Sequence, residues 1–247
     1  MKLWIAGRVA LFAAMAACSE PTEAEAQERR LLVFSKTAGF RHSSIAPAIA
    51  ALRARAAEEG VLLDATEDAR AFTRANLARY DAVVFLSTTG DVLDAAQQSA
   101  LEAYVRSGGG FVGVHSASDT EYDWPWYGEL VGAYFASHPP GTPTATLLVM
   151  DPDHPATVGL PNPWIRADEW YDLRDLKPGL SVLVAIDETT YKARERNPAP
   201  APRPIAWHRS FDGGRSFYTG LGHTDASWSE PLFLDHVWGG ISWAMGP

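Results

Sequence analysis

Ser107-Gly108-Gly109-Gly110-Phe111-Val112-Gly113-Val114-His115-Ser116-Ala117-Ser118-Asp119 joins a glycine turn, a short apolar run and a histidine where that run stops. An apolar run of this length bounded by turn residues reads as a buried strand, expected over Phe111–His115. In open α/β sheets ligands bind beyond the carboxyl ends of the strands, so His115 is the first candidate functional side chain. A nucleophile held at such a strand-to-helix turn is usually Ser or Cys. The only cysteine, Cys18, lies far upstream, which excludes cysteine chemistry here.

Outward from this stretch, short apolar runs alternate with amphipathic segments, the signature of βαβ units around a largely parallel sheet. Leu31–Phe34 reads as the first strand. Ser43–Glu59 reads as a helix with Ile45, Ile49, Leu52 and Ala56 at helical spacing and Gly60 as its stop. Strands follow at Val61–Asp64 and Ala82–Leu86. The next helix starts at Asp94, whose spacing to Gln97 resembles a capping box, and ends at Gly108. In the later half, strands are expected at Thr144–Met150, Ser181–Ile186, Ile205–Ser210 and Ser216–Leu221. Ser229–Met245 is expected to close the fold as a helix with Phe233, Val237, Ile241 and Ala244 on one face. Lys192–Pro204 holds four prolines in thirteen residues and reads as a surface loop.

At 247 residues and 47% hydrophobic content the chain is long enough for one sizeable core, assigned to residues 30–247. Lys2 and Arg8 precede the apolar run Val9–Ala17, too short to span a bilayer and of the right length for a signal-peptide core, so residues 1–17 are expected to be removed. Two cleavage readings stand: after Ala16, or before Cys18, where Met15-Ala16-Ala17-Cys18 resembles a bacterial lipoprotein signal. Residues 18–29 are acidic and lack aromatics, and read as a flexible tether. The expected product is exported, either periplasmic or anchored to the membrane through lipidated Cys18. The chain carries net −9, and the leader holds two basic residues and no acid, so the part from Cys18 onward carries −11. That charge argues against nucleic-acid binding, which needs clustered Lys and Arg.

Seven histidines are present, and four follow or end expected strands: His42, His115, His208 and His223. In a mostly parallel sheet several of these gather on one rim, where their near-neutral pKa suits proton transfer or metal ligation. Any one of them taken alone reads more readily as a hydrogen-bonded structural or surface histidine. Arg166-Ala167-Asp168-Glu169-Trp170-Tyr171-Asp172 sets two carboxylates before two aromatics. In a strand Asp168 and Glu169 face opposite sides, so only one readily enters a cleft. Such a carboxylate suits acid/base work, and an ion pair with Arg166 or Arg174 is the structural alternative. Nine tryptophans are present, and Trp126 and Trp207 are among those expected outside helix interiors, where ring faces stack on sugars or fill the core. Phosphate-loop, His-Glu-x-x-His, Cys-x-x-Cys and Gly-x-Gly-x-x-Gly motifs are absent from the sequence. No cofactor is required by sequence; a divalent metal drawn from dispersed histidines and Asp168 or Glu169 stays open, since ligands need only be close in space.

Val33-Phe34-Ser35-Lys36-Thr37-Ala38-Gly39-Phe40-Arg41-His42, Gly108–Asp119, Asp168-Glu169-Trp170-Tyr171, Pro204-Ile205-Ala206-Trp207 and Gly220-Leu221-Gly222-His223-Thr224 together resemble the ThuA-like, trehalose-utilisation family over Arg30 to the C-terminus. The resemblance implies a flavodoxin-like, class I glutamine amidotransferase-like three-layer α/β sandwich, with His115 near the elbow where those enzymes keep their cysteine. Glutamine hydrolysis is not expected without that cysteine. It also implies a role in sugar catabolism beside dehydrogenases that make 3-keto-glycosides. One departure is that relatives often read His-Pro before Ile-Ala-Trp, whereas Arg203 precedes Pro204 here.

On this basis the expected activity is cleavage or isomerisation of a keto-glycoside or disaccharide. His115 and Glu169 are the acid/base candidates, with His42 and His223 as oxyanion partners or metal ligands. Trp126, Trp207 and His208 are the sugar-contacting candidates, with Arg41, Ser116, Asp119, His138, Asp168 and Tyr171 as further substrate-binding candidates. A non-catalytic carbohydrate-binding lipoprotein and a metal-assisted hydrolase are the alternatives. The partner implied is a small-molecule carbohydrate, and self-association stays open.

Overall fold

The computed structural model describes Met1, residues 28–191 and residues 202–247. The expected leader, nearly all of the tether with Cys18, and most of the proline-rich loop lie outside the described residues. No helix among the described residues is long and apolar enough to cross a membrane.

Five parallel strands form one half of the central sheet: β1 (Arg30–Phe34), β2 (Leu62–Thr66), β3 (Ala82–Leu86), β4 (Gly110–Val114) and, late in the chain, β11 (Gly214–Thr219). They run in the order β2-β1-β3-β4-β11, the flavodoxin-like arrangement. Beyond β11 the sheet continues through β10 (Arg203–Phe211), β9 (Ser181–Asp187), β6 (Thr144–Val149) and β7 (Trp164–Ala167), each antiparallel to its neighbour. A separate two-stranded ribbon pairs β5 (Tyr134–Ser137) with β8 (Asp172–Arg174).

Strand alternation creates the two cores. Leu31, Val33, Val84, Val112, Val114 and Phe217 face α1 (Ile45–Glu58) and α5 (Pro231–Met245). Leu32, Phe34, Val83, Phe85, Phe111 and Tyr218 face α2 (Arg74–Leu77), α3 (Ala95–Arg106) and α4 (Pro125–Val131). A buried side chain of this size contributes about 2–3 kcal/mol relative to exposure, so both faces drive closure into three layers. The expected capping box at Asp94 and Gln97 is formed and satisfies orphan N–H groups at the start of α3. Gly110 has to be glycine because a Cβ there would meet the Ala244 carbonyl at the end of α5.

The regular first half follows the expected elements within two residues, apart from α2, whose four residues are too few to show a helical period. In the later half α4, β5, β7 and β8 were not anticipated; they are short and held by tertiary packing rather than by their own periodicity. The closing helix begins at Pro231 rather than Ser229, a position where proline's missing N–H costs nothing.

Candidate functional site

β4 ends at Val114, and His115 turns off the strand with φ +52°, in the left-handed region. Such a backbone costs on the order of 1–3 kcal/mol in a non-glycine residue and has to be over-determined by its surroundings. Here the Tyr218 hydroxyl donates to the His115 carbonyl at 2.9 Å, and the His115 ring bonds the Gly220 carbonyl through Nδ1 at 3.0 Å. Gly113, two residues earlier, leaves room for this turn: a Cβ there would lie 3.0 Å from the Tyr218 ring and 3.2 Å from Ala117.

A carbonyl can only accept, so Nδ1 of His115 carries a proton, and Nε2 points away from the sheet. Around that buried nitrogen lie Tyr171 Oη at 3.0 Å, His42 Nε2 at 3.1 Å, His223 Nδ1 at 3.2 Å and Glu169 Oε2 at 3.4 Å. His42 comes from the loop after β1 and His223 from the loop after β11, so three parallel strands deliver three imidazoles to one rim. The Tyr171 and His115 rings stack at 4.4 Å. Glu169 Oε2 is also 3.1 Å from His223 Nδ1, and Oε1 is 3.1 Å from His138 Nδ1.

Burial, reinforced by His115 and His223, pushes the His42 imidazole down to about 3, so it stays neutral. His223 moves the other way, raised by its hydrogen bond to Glu169. Burial pushes Glu169 up, but hydrogen bonds to His115 and His223 outweigh it and hold the carboxyl below the usual range. Burial and the Glu169 charge raise Tyr171, which therefore keeps its hydroxyl proton.

Asp168 and Glu169 lie in the break between β7 and β8 rather than in a strand, and only Glu169 enters the cleft. Asp168 is fully buried and committed. It accepts from the backbone N–H groups of Glu169 at 2.9 Å, Gly222 at 2.9 Å and His223 at 3.0 Å, and pairs with Arg166 at 3.1 Å. Its place is therefore behind the cleft, where it fixes two residues that line it.

Among the other expected substrate-binding residues, Ser116 Oγ lies 3.4 Å from His42 Nδ1, and Asp119 accepts from Tyr122 at 2.5 Å beside the rim. His138 joins the site through Glu169, as above. Arg41 is half exposed and pairs with Glu67 at 2.7 Å. Trp207, Trp126 and His208 make their contacts away from the cluster. Trp207 is buried, stacked on Tyr218 at 4.5 Å, with its indole N–H on the Val131 carbonyl. Trp126 bonds Asp212 in the β10–β11 turn, at the opposite end of the sheet. The antiparallel direction of β10 is also why His208 is missing: Arg203 lies at the rim and His208 points toward the far end, stacked on His154 at 4.4 Å. Sequence reading missed the Gly220 carbonyl, Tyr218 and Phe135. A backbone carbonyl leaves no side-chain signal, Tyr218 reads as an ordinary aromatic of an expected strand, and Phe135 falls in none of the expected elements.

His42, His115, Glu169 and His223 each offer one ligand atom, all within 4.8 Å of one another. A tetrahedral centre with metal–nitrogen bonds of about 2.0–2.1 Å has donor–donor edges of about 3.3 Å, close to the spacings around His115. The Gly220 carbonyl supplies the outer partner that fixes a ligating imidazole's tautomer. Three imidazoles and one carboxylate therefore fit a zinc-like divalent ion better than magnesium or calcium.

A ThuA-like protein from Bacteroides uniformis ATCC 8492 superposes with TM-score 0.75 at 22% identity, covering 92% of this chain and 95% of that one. A ThuA-like protein from Parabacteroides merdae ATCC 43184 gives 0.73 at 20% identity, covering 89% and 90%. A cytoplasmic protein from Salmonella typhimurium gives 0.62 at 12% identity, covering 87% and 98%. At these identities the likeness is one of fold. No curated protein matches the chain. The family model described as trehalose utilisation matches residues 30–244, so the chain belongs to the ThuA family.

Proposed function

We propose that this chain is a carbohydrate-processing enzyme that cleaves or isomerises a keto-glycoside by proton transfer beside its carbonyl. The observation that supports this reading best is the buried His115 Nε2 and the groups that converge on it. The ring is held by its Nδ1–H on the Gly220 carbonyl, and an ionised carboxylate, a neutral tyrosine and two further imidazoles surround Nε2. A ketone acidifies the neighbouring C–H, so a positioned base takes that proton while the C–H electron pair moves onto the carbonyl oxygen as an enolate. The enolate then re-forms the ketone in one of two ways: it expels the glycosidic oxygen, which takes a proton from the acid, or it recovers a proton on another face or carbon. His115 and Glu169 share the acid/base work in this reading: whichever takes the C–H proton is then the acid that returns it, while His42, His223 and Tyr171 offer hydrogen bonds to the developing oxyanion.

Replacing His115 by Ala or Glu169 by Gln, in variants whose circular dichroism shows them folded, is expected to slow turnover of 3-keto-trehalose by about 10²-fold or more. Wild-type rates in both would overturn the mechanism. Binding of oxidised and unoxidised disaccharides without any product would favour a carbohydrate-binding protein instead.

The four convergent ligand atoms favour a second reading, a metal-assisted hydrolase. A divalent ion held by His42, His115, Glu169 and His223 would polarise the sugar carbonyl as a Lewis acid. Metal analysis of tag-free protein, followed by assay before and after chelation, separates the two readings. Export as a lipoprotein belongs to the same proposal; membrane partitioning that persists in Cys18→Ser would refute the lipid anchor.

A further inference from the structure

We propose that the cavity under the β5–β8 ribbon is a subsite for a second ring of the substrate, with Phe135 as its specificity-determining residue. This rests on the reading above that the reacting sugar sits at His115 and Glu169. The two oxygens of Glu169 face two directions: Oε2 toward the buried His115 and His223, Oε1 toward His138. On the His138 side lies an open cavity of about 580 Å³, lined among the described residues by Phe135, Ser137, His138 and Pro140. Glu169 thus links the buried cluster to His138, which lines the cavity. A ring bonded to the reacting sugar across Glu169 would enter that space.

The ribbon sets the wall. Ser137 donates to Asp172 across the strand pair at 2.8 Å, which fixes the end of β5 against β8. Phe135, one turn of the pleat earlier, packs its ring 4.4 Å from Tyr171, whose hydroxyl touches His115 Nε2, and 6.0 Å from His138. Phe135 and exposed Pro140 give the cavity two apolar surfaces, while His138, with 39% of its side chain exposed, supplies a polar edge. Apolar walls with a few placed polar groups select an occupant with an apolar face and a polar rim, which describes a pyranose ring or an aryl group. A methyl aglycone is too small to reach them. The chemical class that fits is a two-ring glycoside.

The test compares a 3-keto-disaccharide with its methyl 3-keto-glycoside counterpart. Phe135→Ala is expected to raise KM for the disaccharide about tenfold while leaving KM for the methyl glycoside within about twofold, and Phe135→Tyr, which keeps the ring, is expected to restore the preference. Pro140→Asp, at an exposed position, repeats the test where folding is not at stake. Equal loss on both substrates would mean that Phe135 only supports Tyr171, and no change would mean that the cavity is unused; either result overturns the subsite. If wild-type protein turns over neither sugar, the mechanistic reading fails, and calorimetric binding of the two sugars then tests the subsite alone. A two-ring preference lost in Phe135→Ala supports it, and the absence of a two-ring preference overturns it.

Discussion

His42, His115 and His223 meet at the carboxyl ends of parallel strands, whereas His154, His208 and His236 gather around α5. At the rim the rings meet largely edge to face, at interplanar angles of 84°, 87° and 69°, so their nitrogens converge beside a carboxylate. Around α5, His154 and His208 lie nearly parallel at 26°, and both contact Trp243. His236 is buried on the helix, bonding the Ala156 carbonyl and the Thr219 hydroxyl. No carboxylate pairs with these three among the described residues. The same residue type therefore builds a polar centre in one place and a packed, neutral layer in the other. What separates the two groups is where each ring points and whether a carboxylate stands opposite.

The largest effect is expected from removing what holds the rim together. Asp168→Asn removes the charge facing buried Arg166 and weakens the anchors of Glu169 and His223. It should cost about 3 kcal/mol in urea unfolding. On the metal-assisted reading it should also weaken zinc binding, read by calorimetry, by about 10–100-fold. The same calorimetry on His154→Asn should show no change; an equal loss there would erase the distinction between the two groups.

The intermediate effect concerns acid. Burial pushes His154 and His236 down to about 4 in the folded protein, against about 6.5 in the unfolded chain. Between those pH values the unfolded chain binds more protons, so the stability present above about pH 6.5 is lost as pH falls toward 4. For fully buried His236 the share is about 3 kcal/mol. His236→Gln should therefore flatten the pH dependence of urea unfolding between pH 7 and 4 by that amount, whatever it costs at neutral pH. An unchanged slope would mean that His236 is not held neutral.

The smallest effect tests the excluded aromatics. Trp126→Ala should lower stability by about 1 kcal/mol through the lost Trp124 stack and Asp212 hydrogen bond. Sugar affinity and turnover should stay within about twofold of wild type, and a marked loss of affinity would return Trp126 to the site.

Much of the fold was legible because β1, β3, β4 and the helices between them carry local signals: unbroken apolar runs, helical spacing, and the capping box at Asp94. The later half was less so. A three-residue strand such as β8 has no periodicity of its own and exists because β5 pairs with it.

The sequence by itself determined that a histidine stands where a buried strand ends, that no cysteine can replace it, that further histidines follow other strands, and that two adjacent carboxylates precede two aromatics. Those facts need only composition and short-range pattern. Tertiary structure decided which of them meet. The antiparallel direction of β10 carried His208 away from the rim, the break after β7 turned Glu169 inward and Asp168 behind it, and the Gly220 carbonyl placed a proton on Nδ1 of His115. Strand direction, side-chain aim and proton position all depend on partners distant in the chain, at separations of 54 to 108 residues for the hydrogen bonds that tie Asp168 and His115 to the residues around Gly220–His223. No local pattern specifies those partners.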